Sequence, residues 1–155
     1  MAMEREFTAT TFIFEEDKTL LIFHKKLRKW LPPGGHLDPH ELPHEAAKRE
    51  ALEETGLEIT LFSLEEVEVA SQVNAIQLPR PYLMLLENIP AHGVRPAHQH
   101  IDFIYLSKPK AGELTFNRKE TENIHWFSLE QINQLPSKDL FPDTKEILNS
   151  LFEKL

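Results

Sequence analysis

An α/β fold of the mixed kind, a mixed β-sheet sandwiched between α-helices, is what this sequence predicts. Three observations point there. Strand-like and helix-like segments are interspersed without strict alternation. The 155-residue length suits one domain spanning residues 1–155. With 41% apolar residues the chain can bury a single core of ordinary size.

The elements follow in order. Residues 7–14, Phe-Thr-Ala-Thr-Thr-Phe-Ile-Phe, are rich in β-branched and aromatic side chains and read as a strand. The polar break Glu15-Glu16-Asp17-Lys18 leads to a second strand from Thr19 to His24, so the pair predicts a hairpin. Lys25-Lys26-Leu27-Arg28-Lys29 is the dense basic cluster of the chain. Residues 30–41 carry three Pro and two Gly and predict an irregular loop. A helix is expected over 43–55: Pro43 suits its first turn, Glu45 its positive end, and Gly56 a left-handed C-terminal cap. Strand-like segments return at 58–70, 80–87, 100–107 and 124–127, and helical patterns at 128–134 and 142–154 close the chain. In the last of these, Ile147, Leu148, Leu151, Phe152 and Leu155 recur at helical spacing. That stripe serves core packing or, as the lesser reading, a dimer face, so monomer and homodimer both stay open.

Composition narrows function. Seventeen Lys and Arg against 25 Asp and Glu leave a net charge of −8, which disfavours nucleic-acid polymers and anionic membranes as partners. The absence of cysteine excludes disulfides, thiolate zinc sites and cysteine nucleophiles. No apolar run reaches the roughly 18 residues that cross a bilayer. The charged start Met1-Ala2-Met3-Glu4-Arg5-Glu6 lacks the centre of a secretory signal, so a cytoplasmic location is the expectation.

The chemistry gathers on helix 43–55. At 100° per residue Glu53 and Glu54 fall to either side of Glu50 on one face, with Ala46 and Ala47 expected to clear space above it. Carboxylates so spaced repel by a few tenths of a kcal/mol per pair. They call for a compensating hard cation, Mg²⁺ or Mn²⁺. A solvated acidic helix face would look the same in isolation. The Gly34-Gly35 pair just upstream permits close backbone approach to a metal or phosphate.

The run from Gly35 to Leu57 resembles the signature of the Nudix hydrolases. The pattern is Gly35, five residues, Glu41, seven residues, Arg49-Glu50, an aliphatic position held by Ala51, one residue, Glu53-Glu54, one residue, Gly56 and Leu57. Ala51 departs from it, since a larger aliphatic group is preferred there. The resemblance implies the family's mixed sheet between helices and metal-dependent cleavage of a nucleoside diphosphate linked to another moiety. It implies Glu50, Glu53 and Glu54 as metal ligands, joined by the Gly34 carbonyl, with Glu50 as a base in some members. It also implies that Arg49 orients the glutamates and Glu41 braces the loop. Other members take the base from a later loop, where Glu120, with Glu122 beside it, is the candidate here.

Outside the run, Lys25, Lys26 and Arg28 are candidate contacts to outer phosphates. His100 and Asp102 share one face of a strand and are candidate substrate contacts. Each set also reads as ordinary solvated surface. His36, His40 and His44 recur every fourth residue, but Pro39 and Pro43 break any continuous helix through them, so no zinc site is expected there. The family's markers for ADP-ribose, dinucleoside-polyphosphate and NADH hydrolases are missing, and the isomerase branch needs a cysteine. Elimination leaves nucleoside-triphosphate pyrophosphatases. The alternative is a non-catalytic ligand-sensing or partner-binding domain, although such domains usually lack box glutamates.

Overall fold

The structure, a computed structural model, describes residues 3–71 and 73–155. Met1 and Ala2 of the charged N-terminal segment, and Gln72, lie outside the described residues.

The first strand, β1 (Arg5–Glu15), turns tightly into β2 (Lys18–His24), as the hairpin reading requires. The segment expected to be irregular holds two short strands, β3 (Lys29–Leu31) on β2 and β4 (Gly34–His36) on β1. Helix α1 (Pro43–Thr55) starts with Pro43 in its first turn and ends at Gly56, which is left-handed at φ 78°. β5 (Leu57–Phe62) stops eight residues before the expected end at residue 70. The remaining elements are β6 (Leu83–Ile89), β7 (His98–Gly112), β8 (Thr121–Ser128), α2 (Leu129–Gln134), a single 3-10 turn, and α3 (Pro142–Lys154).

Among the described residues the eight strands form one mixed sheet. Its axis is the parallel pair β1 and β7, in register from Arg5 opposite Gln99 to Ile13 opposite Ser107. The antiparallel neighbours are β2 on one side of that axis and β5 and β6 on the other, with β8 beyond β2. Parallel and antiparallel pairing in one sheet is the mixed architecture the element pattern predicts.

Each sheet face is covered. On one, Phe12, Phe14, Ile104 and Leu106 meet Ile132 of α2 and Leu148 and Leu151 of α3. The other packs α1 through Ala46, Ala47 and Ala51, all fully buried. Ala46 and Ala47 therefore clear no open space above the acidic face; Ala9 and Tyr105 fill it. Small side chains let the helix backbone lie close to the sheet, which explains Ala51 where a bulkier residue would pattern better. At the start of β1 and β7 the α2–α3 face runs out of apolar cover, and a polar row of Glu6, Thr8, Thr10, His98, His100 and Asp102 continues the strands. No helix among the described residues is long and apolar enough to cross a membrane.

Candidate functional site

Helix α1 packs against strand β4, and the glycines of β4 decide what fits between them. β4 pairs with β1 with Ala9 opposite Gly35 and Thr10 opposite Gly34. A Cβ on Gly35 would lie 2.5 Å from Glu50 Oε1, so the Glu50 carboxylate lies directly on the Gly35 backbone. Glu54, one helical turn on, lies close enough to Gly34 and to the Glu50 carboxyl for both to act on its ionisation. Burial, then the Glu50 charge, push the Glu54 carboxyl up to about 9, and Glu120 adds to the effect. Glu54 Oε2 is buried with no hydrogen-bond partner. Glu53 diverges from this pair: its side chain is mostly exposed and accepts from Arg49 Nη1 at 3.2 Å.

Arg49 ties the loop to the helix. Its guanidinium grips Glu41 two-pronged, Nε to Oε2 at 2.8 Å and Nη2 to Oε1 at 2.9 Å, and donates to Glu50 Oε1 at 2.9 Å. Nη2 also reaches the His36 carbonyl at 2.9 Å, joining α1 to β4. Glu41 closes the loop by accepting from the Asp38 amide at 2.9 Å. The Arg49 hydrogen bond, offset in part by burial, holds the Glu41 carboxyl below the ordinary carboxylate range.

The two late-loop carboxylates separate. Glu120 acts electrostatically on both Glu54 and His24. Glu122 is paired with Arg28, whose guanidinium also lies 4.9 Å from the Phe23 ring centre. Lys25 bonds the Arg118 carbonyl through Nζ, and its amide bonds the Glu120 carbonyl at 2.8 Å. Lys25 thus anchors the Glu120 loop, and Arg28 and Glu122 line a separate hollow with Trp30.

His100 and Asp102 do share one face of β7. Asp102 is buried and accepts both 2.9 and 3.0 Å contacts from the Thr10 hydroxyl. Beside it Glu87 of β6 is pushed up to about 8, by burial first and then by the Asp102 charge. His100 joins a group that sequence spacing missed. Glu6, His98 and His100 place a carboxylate oxygen and two ring nitrogens within 4.8 Å of one another, a set able to coordinate a divalent metal. His36 belongs here too, with Nε2 at 3.2 Å from Glu6 Oε1, and not with His40 and His44. The available signal was His-x-His at strand period, but Glu6 joins it only through the nonlocal β1–β7 register. Glu6, His36, Glu41 and Arg95 line an adjoining open cavity of about 560 Å³.

A half-buried glutamate pair on a helix is clamped by an arginine and seated on a glycine strand, and the sequence that carries it matches a family model. The NUDIX domain matches residues 4–151. This chain belongs to the NUDIX family. A NUDIX-family hydrolase from Clostridium perfringens has the same fold at TM-score 0.78, with 30% identity over 99% of each chain. A Bacillus subtilis (strain 168) protein named "Putative 8-oxo-dGTP diphosphatase" is 47% identical over 74% of this chain and 60% of its own length. A Lactococcus lactis subsp. cremoris (strain MG1363) protein named "Probable DHNTP pyrophosphohydrolase" is 32% identical over 81% of this chain. The chain spans 64% and 60% of the lengths of these two relatives. In the NUDIX chain described here, the box therefore runs from β4 through α1 to the start of β5.

Proposed function

We propose that this NUDIX domain is a Mg²⁺-dependent pyrophosphohydrolase (Mn²⁺ serving in its place) that cleaves the phosphoanhydride of a nucleoside triphosphate or related nucleotide. The observation that carries the reading is the Glu50–Glu54 pair pressed against Gly34 and Gly35, with Glu54 Oε2 buried and unpartnered. Two carboxyl groups held together, one kept from ionising by the other, and a buried orphan oxygen are a poor arrangement alone and a good one around a cation. The donors are all oxygen, which suits Mg²⁺. Glu50, Glu53 and Glu54 would hold it, with the Gly34 carbonyl as a further oxygen. The ion would supply charge neutralisation on the diphosphate and a lowered pKa for bound water.

The chain's own residues do the rest. Arg49 fixes the Glu50 carboxylate in place, and Glu41 fixes Arg49. Water adds to phosphorus, the bridging P–O bond breaks, and a carboxylate takes the water's proton. Glu120 is the proposed base, because its charge already reaches Glu54 while Glu122 is engaged by Arg28. Lys25 and Arg28, and on the other side His100 and Asp102, are the proposed contacts to substrate.

The test is product analysis with Mg²⁺ on a panel of nucleoside triphosphates, 8-oxo-dGTP, DHNTP, nucleotide sugars, ADP-ribose and dinucleoside polyphosphates. Cleavage of a triphosphate to monophosphate and diphosphate, lost by at least about a hundredfold in Glu54→Gln, is expected. A fully active Glu54→Gln protein would overturn the ligand assignment. Silence across the panel would favour the non-catalytic sensing domain, which ligand-induced thermal shifts would then reveal.

A further inference from the structure

Three strands, β1, β4 and β7, put four chemically matched side chains on one patch of sheet. Glu6 of β1 lies directly opposite His100 of β7 in the parallel register, and His98 precedes it by one strand period on the same face. His36 enters from β4, whose register sets it opposite Thr8. Measured from Glu6 Oε1, the Nε2 atoms of His36, His98 and His100 stand at 3.2, 3.5 and 3.7 Å. Donors bound about 2.0–2.1 Å from a tetrahedral ion stand about 3.3 Å from one another, and the three oxygen-to-nitrogen distances bracket that value.

Two details turn ring nitrogens inward. His98 Nδ1 lies 3.1 Å from the Pro96 carbonyl, which can only accept, so Nδ1 is spent as a donor and Nε2 is the nitrogen left to face Glu6. A backbone carbonyl orienting the outer nitrogen is the usual support of a ligating histidine. His100 Nε2 is buried and has no hydrogen-bond partner. Two ring nitrogens, one of them without a hydrogen-bond partner, and a carboxylate oxygen within 4.8 Å of one another make a donor set for a cation. Imidazole-rich donor sets favour Zn²⁺-type ions over Mg²⁺.

We propose that Glu6, His98 and His100, with His36 alongside, form a second metal site that takes Zn²⁺ or a similar nitrogen-preferring divalent ion. It shares no ligand with the box glutamates. Its competitor is Arg95, whose Nη2 lies 2.7 Å from the same Glu6 oxygen and supplies positive charge where the ion would sit. Three protein ligands leave a coordination position open, next to the cavity that Glu6, His36 and Arg95 line.

The test titrates chelator-treated protein with Zn²⁺ against a chromophoric chelator, in excess Mg²⁺ to cover the box. One tight equivalent is expected in the wild type and in Glu54→Gln. Affinity should fall at least tenfold in His100→Ala and in Glu6→Gln, a milder change on a partly exposed side chain. Arg95→Ala should bind more tightly than the wild type. With Co²⁺, a visible absorption band should be present in the wild type and absent in His100→Ala. No tight equivalent in the wild type, or affinity lost in Glu54→Gln and kept in His100→Ala and Glu6→Gln, would overturn the site.

Discussion

A methyl group on Gly35 would meet Glu50 Oε1 at 2.5 Å and its Cδ at 2.7 Å, whereas one on Gly34 would meet the Ala9 carbonyl at 2.6 Å and Thr10 Cα at 2.9 Å. The first obstacle is the end of a side chain and can swing away; the second includes backbone and cannot. Gly35→Ala should therefore raise several-fold the Mg²⁺ concentration for half-maximal turnover and leave the thermal midpoint nearly unchanged. Gly34→Ala should lower the midpoint by loosening β4 from β1. Titrations of activity and thermal scans on both variants check this. Glu87 gives a prediction of another kind. Burial and the Asp102 charge raise its carboxyl from 4.5 to about 8, so the folded chain holds a proton there that the unfolded chain releases. That contribution to stability is full below 4.5 and is lost as pH rises through about 8. Glu87→Gln should remove this part of the pH dependence, and the gap between variant and wild-type midpoints should shift in the variant's favour across that window.

Caps and cores set the elements. Gly56 ends α1 at φ 78°, and a Cβ there would lie 2.2 Å from the Glu113 carbonyl oxygen. Gly56→Ala should cost more than about 2 kcal/mol in a denaturant titration, combining left-handed strain with a backbone clash. Leu148 of α3 is fully buried against the sheet, and Leu148→Ala should cost about 2–5 kcal/mol. These features explain what could be read in advance. The bounds of α1 were legible because Pro43 and Gly56 are local signals, and the box is legible because its spacing lies within one helix and one turn. β4 was not, since two glycines leave no side-chain alternation to read; its hydrogen bonds to β1 define it. The strand-like segment expected over 58–70 ends at Phe62; the stretch after it has no strand partner among the described residues, and its Val67 and Val69 are exposed. Glu6 is not legible as part of a cluster because His98 and His100 lie more than ninety residues away in the chain.

Over the whole molecule, the central pair β1–β7 dictates how the chain assembles. Their register joins residues 5–13 to 99–107, so the sheet's axis cannot close until more than half of the chain lies between its two halves. Loop closure of that length is costly before it is rewarded, and refolding from denaturant should take milliseconds to seconds, as in other topologies dominated by nonlocal strands. Stopped-flow fluorescence of Trp30 and Trp126 would follow it; a microsecond phase carrying most of the amplitude would contradict the argument. The glycine strand also governs solvent exchange. The Leu37 amide bonds the Phe7 carbonyl and the Thr11 amide bonds the Pro33 carbonyl, so a stretch that reads as open loop is stitched at both ends into the sheet's axis. Deuterium should therefore enter the Leu37 amide at the slow pace of β1 itself, marking the platform beneath Glu50 as part of the last region of the protein to open.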